Sequence, residues 1–101
     1  MKLYHGTAER NLISILEEGI KPGPEGCVFL AETQFDALKF LALRCFNEDI
    51  IVFEVEVSEE KVEETFDHSY SFFKCKAYGY FGKIEPSMLT TNIMKYPKQD
   101  K

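Results

Sequence analysis

Lys2-Leu3-Tyr4-His5-Gly6-Thr7-Ala8 changes character part-way along. Lys2 to Tyr4 reads as a short first strand. Thr7 is a good N-cap for a helix over Ala8 to Glu18, because its hydroxyl can accept from a free N–H of the first turn. Leu12, Ile15 and Leu16 then recur at helical spacing, with Ile13 widening the stripe, so Leu16 is expected in the core. Gly19 stands where a positive-φ C-cap is wanted, and Pro22 forbids resumption of the helix. Lys21-Pro22-Gly23-Pro24-Glu25-Gly26 is a turn-rich loop.

Downstream, Cys27 to Ala31 is an apolar run of strand length. Thr33-Gln34-Phe35-Asp36 has the form of a capping box, with Asp in place of the usual Glu, and opens a second helix. Ala37, Leu38, Leu41, Ala42 and Cys45 give that helix a broad apolar face. In Ile50 to Val57, Phe53, Val55 and Val57 alternate with Glu54 and Glu56, the pattern of a half-buried strand. Ser58 to Glu64 is highly charged and reads as a solvated connector with one helical turn. Lys74 to Tyr80 and Leu89 to Met94 are two further strands, the latter following a turn at Pro86-Ser87. The order of elements is α+β, with two early helices and a sheet completed late. Residues 1–96 form one domain and 97–101 a polar tail.

The chain has 101 residues, of which 45% are hydrophobic and 14% aromatic. That suffices for one core and excludes a disordered chain. A formal net charge of −5 gives no overall attraction to nucleic acid or anionic lipid. Lys74, Lys76 and Lys83 could still form a local basic patch. The apolar runs are far shorter than the roughly 20 residues that span a bilayer. Three cysteines, Cys27, Cys45 and Cys75, match no zinc spacing and follow no secretory signal. The expectation is a cytoplasmic protein with reduced thiols, no metal and no membrane association.

Chemistry gathers at Tyr4-His5-Gly6-Thr7. Glycine lets a ligand approach the backbone, a helix start offers unpaired N–H groups, and an imidazole can donate to a ribose hydroxyl. The same residues also describe an ordinary capped turn. His68, beside Asp67, is a candidate general base or a surface-loop residue.

Taken together, Leu3-Tyr4-His5-Gly6-Thr7, Asn11-Leu12-Ile15-Leu16, Gly19-Ile20, Val28-Phe29-Leu30-Ala31 and Ala37 resemble the front half of the ADP-ribosyltransferase superfamily. The resemblance covers residues 1–45, and extends more loosely through 50–57 and 83–94. It implies a split β-sandwich that binds NAD, or an ADP-ribosylated intermediate, in a cleft. It also implies ADP-ribose transfer from NAD, as a substrate, to a protein or nucleic acid. By the resemblance His5 bonds a ribose of NAD, Gly6 offers its backbone to the nicotinamide amide, and Thr7 supplies a small hydroxyl beside them. Tyr4 completes that segment. The family's second position, usually Tyr, or His in the tRNA 2'-phosphotransferases, falls on Phe29, which can stack but cannot donate. The third, often a catalytic Glu on a late strand, falls at or near Tyr78, and the nearest carboxylate is Glu85. His5 and Glu85 are therefore the candidate catalytic residues, and Tyr4, His5, Gly6, Thr7, Phe29 and Tyr78 the candidate nucleotide-binding ones. The missing Glu leaves two alternatives to a transferase. One is a non-catalytic module binding NAD or an ADP-ribose derivative, and the other is an enzyme like the RNA 2'-phosphotransferases.

Overall fold

The computed structural model describes residues 1–23, 26–42, 48–65 and 77–97. Strand β1 (Lys2–Ala8) leads through a 3-10 turn (Glu9–Asn11) into helix α1 (Leu12–Glu18). Then come β2 (Cys27–Ala31), α2 (Gln34–Ala42) and β3 (Ile50–Glu56). A second 3-10 turn (Glu59–Lys61) precedes β4 (Val62–Thr65). The order closes with β5 (Ala77–Phe81), a third turn (Pro86–Met88) and β6 (Leu89–Tyr96). The strands form one six-stranded sheet in the order β4-β5-β2-β1-β3-β6, with every pairing antiparallel. The domain is α+β.

Several expectations need correction. The first strand does not stop at Tyr4. It runs to Ala8 because every residue from Lys2 to Ala8 finds a partner on β3, from Lys2 opposite Glu56 to Ala8 opposite Ile50. Thr7 is therefore a strand residue and no N-cap; its Oγ1 accepts from Asn11 Nδ2 at 2.9 Å. Helix α1 is correspondingly short. Thr33 does cap α2, its Oγ1 accepting from the Asp36 N–H at 3.1 Å. Asp36 itself pairs with Lys39. The charged run holds the expected single turn, but its end, Val62–Thr65, pairs with β5 as an edge strand. The last strand extends to Tyr96, opposite Ile50. Leu41, Cys45, Asp67, His68, Lys74, Cys75 and Lys76, on which other expectations rest, have side chains outside the described residues.

The sheet is buried on both faces at its centre. One face carries Leu3, Val28, Leu30, Ile51, Phe53, Val55 and Tyr80, closed by Ile15, Ile20 and Ile84. The other carries Ala31, Ile50 and Val52 beneath Ala37 of α2, with Tyr4, Leu38 and Met94 at its margin. Strand β3 is therefore not half-buried as its Phe53-Val55-Val57 alternation suggested. All of it except Glu56 is buried.

Alpha-helix α1 buries Ile15 but leaves Ile13 63% and Leu16 44% exposed, so Leu16 is not a core residue. Removing apolar atoms costs stability only where they are out of water. Ile15→Ala is expected to cost about 2–5 kcal/mol, and Leu16→Ala less than about 1 kcal/mol. Urea unfolding of the two variants checks this ordering.

Candidate functional site

The ladder between β1 and β2 consists of a single pair, Tyr4 opposite Ala31. Strand β1 pairs along its whole length with β3, and β2 along its whole length with β5. The sheet therefore comprises two three-stranded halves, β4-β5-β2 and β1-β3-β6, which part company immediately after Tyr4. His5 stands at that point. Its Nδ1 lies 3.2 Å from the main-chain oxygen of Phe29 on β2, so an imidazole bridges the two strands just beyond their last ladder pair.

A carbonyl can only accept, so the proton of this hydrogen bond sits on Nδ1 and Nε2 is bare in the neutral ring. Burial lowers the His5 pKa below its ordinary value, and the bond to Phe29 offsets this in part. The ring is neutral at pH 7.

Strand alternation sorts the other candidates. Thr7 shares the face of His5. So does Tyr78, which pairs with Leu30 on β2, packs at the margin of the larger core cluster, and faces Glu64 on β4. Tyr78 stands two strands from β1, roughly 10 Å at ordinary strand spacing. Tyr4, Gly6 and Phe29 share the opposite face, under α2. Phe29 is 37% exposed there. The His5 and Phe29 side chains thus occupy neighbouring strands and opposite faces, and a ligand touching both has to enter the split itself.

Three of the family-suggested residues have structural duties. Gly6 lies against α2, where an added Cβ would come within 3.0 Å of the Ala37 carbonyl oxygen. Helix–strand packing therefore favours glycine here independently of any ligand. The Tyr4 hydroxyl donates to Glu54 Oε2 at 2.9 Å, and this bond raises the phenol pKa. Glu85 is exposed and begins the third 3-10 turn. Its N–H donates to Met88 Sδ at 3.4 Å, and its carbonyl accepts from the Met88 N–H at 2.9 Å.

The sequence reading missed Glu54, which is 5% exposed. Strand β6 bulges opposite it: the register passes from Phe53–Ile93 to Val55–Leu89, so Thr90, Thr91 and Asn92 all oppose Glu54. The bulge aims two donors at one carboxylate oxygen. Thr90 Oγ1 donates to Glu54 Oε1 at 2.9 Å, and Asn92 Nδ2 donates to the same atom at 3.1 Å. The Asn92 N–H closes the bulge onto Thr90 Oγ1 at 3.1 Å. Burial pushes the carboxyl pKa up, but the bonds from Thr90, Tyr4 and Asn92 outweigh it and hold the pKa below the ordinary value. The available signal was Ile50-Ile51-Val52-Phe53, four consecutive apolar residues, which implies burial on both faces and hence around Glu54.

Both groups have folded-state pKa values lowered relative to the unfolded chain, so the unfolded state binds more protons in acid and stability falls with pH. The His5 contribution is complete above about pH 6.5 and is lost as pH drops through its lowered value; the Glu54 contribution is complete above about pH 4.3 and is lost further down. Urea midpoints measured from pH 8 to pH 3 are expected to decline in these two stages. His5→Gln removes the first, and an unchanged profile in that variant would contradict the assignment.

Among the described residues no group of three or more His, Cys, Asp or Glu side chains could hold a metal ion, and no helix is long and apolar enough to cross a membrane. No protein-family model matches the sequence, and no curated protein matches it.

Proposed function

We propose that this chain is an NAD-dependent ADP-ribosyltransferase-like domain that takes NAD, or an ADP-ribose derivative, into the split between β1 and β2. The observation that carries the proposal is the single-pair junction at Tyr4 and Ala31 with His5 bridging just beyond it. It supports the reading because three positions far apart in sequence, His5, Phe29 and Tyr78, fall on the neighbouring strands β1, β2 and β5. The sheet opens at the first two of them. In this reading His5 bonds a ribose hydroxyl, Phe29 offers an aromatic face, and the acceptor is a protein or nucleic acid.

Transfer from NAD passes through a positively charged ribose, which a carboxylate stabilises far better than a neutral phenol. Tyr78 supplies only a phenol, so turnover is expected to be slow. Glu85 is the candidate acid. The test is incubation of the purified protein with NAD, reading nucleotide binding and nicotinamide release in parallel, with Glu85→Gln alongside. Slow release that Glu85→Gln diminishes supports cleavage of the nicotinamide–ribose bond at this site, with water taking the place of the acceptor. Brisk release that Glu85→Gln leaves unchanged contradicts this account of the chemistry.

One observation favours a second reading, a binding module without chemistry. The Glu85 main chain is fixed in the turn before β6, and its side chain is exposed. Binding with no nicotinamide release is the result that reading expects.

A further inference from the structure

We propose that the outer edge of β6 is a self-association surface, at which a second copy of this chain pairs antiparallel about Ile93 and joins the two sheets into one. Strands β4 and β6 end the sheet, and an end strand turns alternate backbone N–H and C=O groups outward. Soluble proteins guard such edges with shortness, charge or cover. Strand β4 is guarded by the first two: it has 4 residues, and its Glu63 and Glu64 are exposed. Strand β6 has 8 residues, only one charged side chain, Lys95, and no outer neighbour among the described residues.

The side chains of β6 that carry polar groups are engaged within their own chain. Lys95 Nζ lies 3.0 Å from Glu9 Oε1 and 3.9 Å from Asp49 Oδ2. Thr90 and Asn92 both donate to Glu54. These contacts hold the strand in place before a partner arrives, so pairing costs little ordering. Between them Ile93 is left 38% exposed. A two-fold axis through Ile93 sets that side chain against its own copy and sets each Lys95 against Thr91. The two Lys95 residues are then offset along the ladder by roughly 13 Å at ordinary strand rise, beyond the Debye length of about 8 Å at physiological ionic strength. Two chains that each carry a formal net charge of −5 thus meet along a strip where no like charges stand opposite. The match of Ile93 to itself selects a second copy over an unrelated extended segment. The bulge at Thr90, Thr91 and Asn92 interrupts the regular edge, so the contact is short and the dimer weak.

The test is sedimentation of the whole chain in reducing buffer from about 10 μM to about 1 mM, the range in which a small interface associates. Amide hydrogen exchange is measured at both ends of that range. The expected result is a mass that climbs from one chain towards two, with alternate amides of β6 exchanging more slowly in the concentrated sample. Ile93→Lys sets two cations directly opposite each other and is expected to weaken association about tenfold. Ile93→Val keeps a β-branched apolar contact and is expected to preserve association. Ile13→Lys alters an exposed apolar residue of α1 and is expected to change nothing. Circular dichroism establishes that each variant is folded, and the exchange measurement on the unaltered chain needs no variant. A single-chain mass throughout overturns the proposal. So does association that leaves β6 exchange unchanged, or that Ile13→Lys abolishes and Ile93→Lys does not.

Discussion

Gly19→Ala is expected to destabilise the domain by more than about 3 kcal/mol, against a total of about 5–15 kcal/mol for a chain of this size. Two independent effects add at this position. Gly19 has φ +83° and ψ −166°, a region that is essentially closed to residues with a Cβ. An added Cβ would also overlap the Ile84 carbonyl oxygen, a main-chain atom that cannot rotate aside. That oxygen accepts from the Ile20 N–H at 2.8 Å, and Ile84 returns a bond to the Ile20 carbonyl at 2.9 Å. Relief of the overlap therefore pulls apart the bridge that closes the larger core cluster. Urea unfolding measures the loss, and a cost below about 1 kcal/mol would contradict this packing.

Phe53→Ala is expected to cost about 3–5 kcal/mol, the range for truncating a large buried ring. Phe53 heads the fully buried side chains by volume and has 0% exposure. It stands on β3, directly opposite His5 on β1 and Ile93 on β6, so the cavity it would leave lies beneath the proposed site. The neighbouring β1 is locked to β3 in a ladder without a break, so that side of the cavity can collapse only partly. Phe53→Leu, which refills much of the volume, is expected to recover more than half of the loss. Equal costs for the two variants would indicate that the ring is not packed as described.

The parts of this fold legible in the sequence are those that local chemistry decides. The bounds of Cys27–Ala31 are legible because an apolar run of five lies between a glycine-rich loop and a capping threonine. Thr33 was legible as a cap, and Gly19 as a positive-φ stop. What failed was decided by partners distant in sequence. Nothing between Lys2 and Ala8 says that β3 will pair with every residue, so the residues alone point to a helix start at Thr7, four residues before the 3-10 turn ends. Leu16 fits the helical stripe as well as Ile15, but a helix of 7 residues over this core buries only one of them. Edge strand β4 is too polar to announce itself, because its Glu63 and Glu64 lie exposed at the sheet margin. The bulge that serves Glu54 depends on β6, some 36 residues away.

At the candidate site, residue types were legible and geometry was not. His5 and Phe29 could be paired from the resemblance alone. The split between their strands, the imidazole's bond to a main-chain oxygen, and the placement of the two rings on opposite faces follow only from the ladder register. Gly6 shows the difference most clearly: the sequence allows a ligand-approach role, whereas in the structure an added Cβ would stand 3.0 Å from the Ala37 carbonyl oxygen, a tight contact that favours glycine on packing grounds.

The measurement that bears most directly on the central claim is calorimetric titration of NAD and of ADP-ribose into the wild-type chain and into His5→Ala, with urea unfolding of both proteins at the same pH. The account predicts that the wild type binds, that His5→Ala binds roughly tenfold more weakly through loss of one hydrogen bond, and that the variant stays folded. Absence of nucleotide binding to the wild type, or equal affinity in a folded His5→Ala, would contradict the account and leave His5 as a structural bridge between β1 and β2.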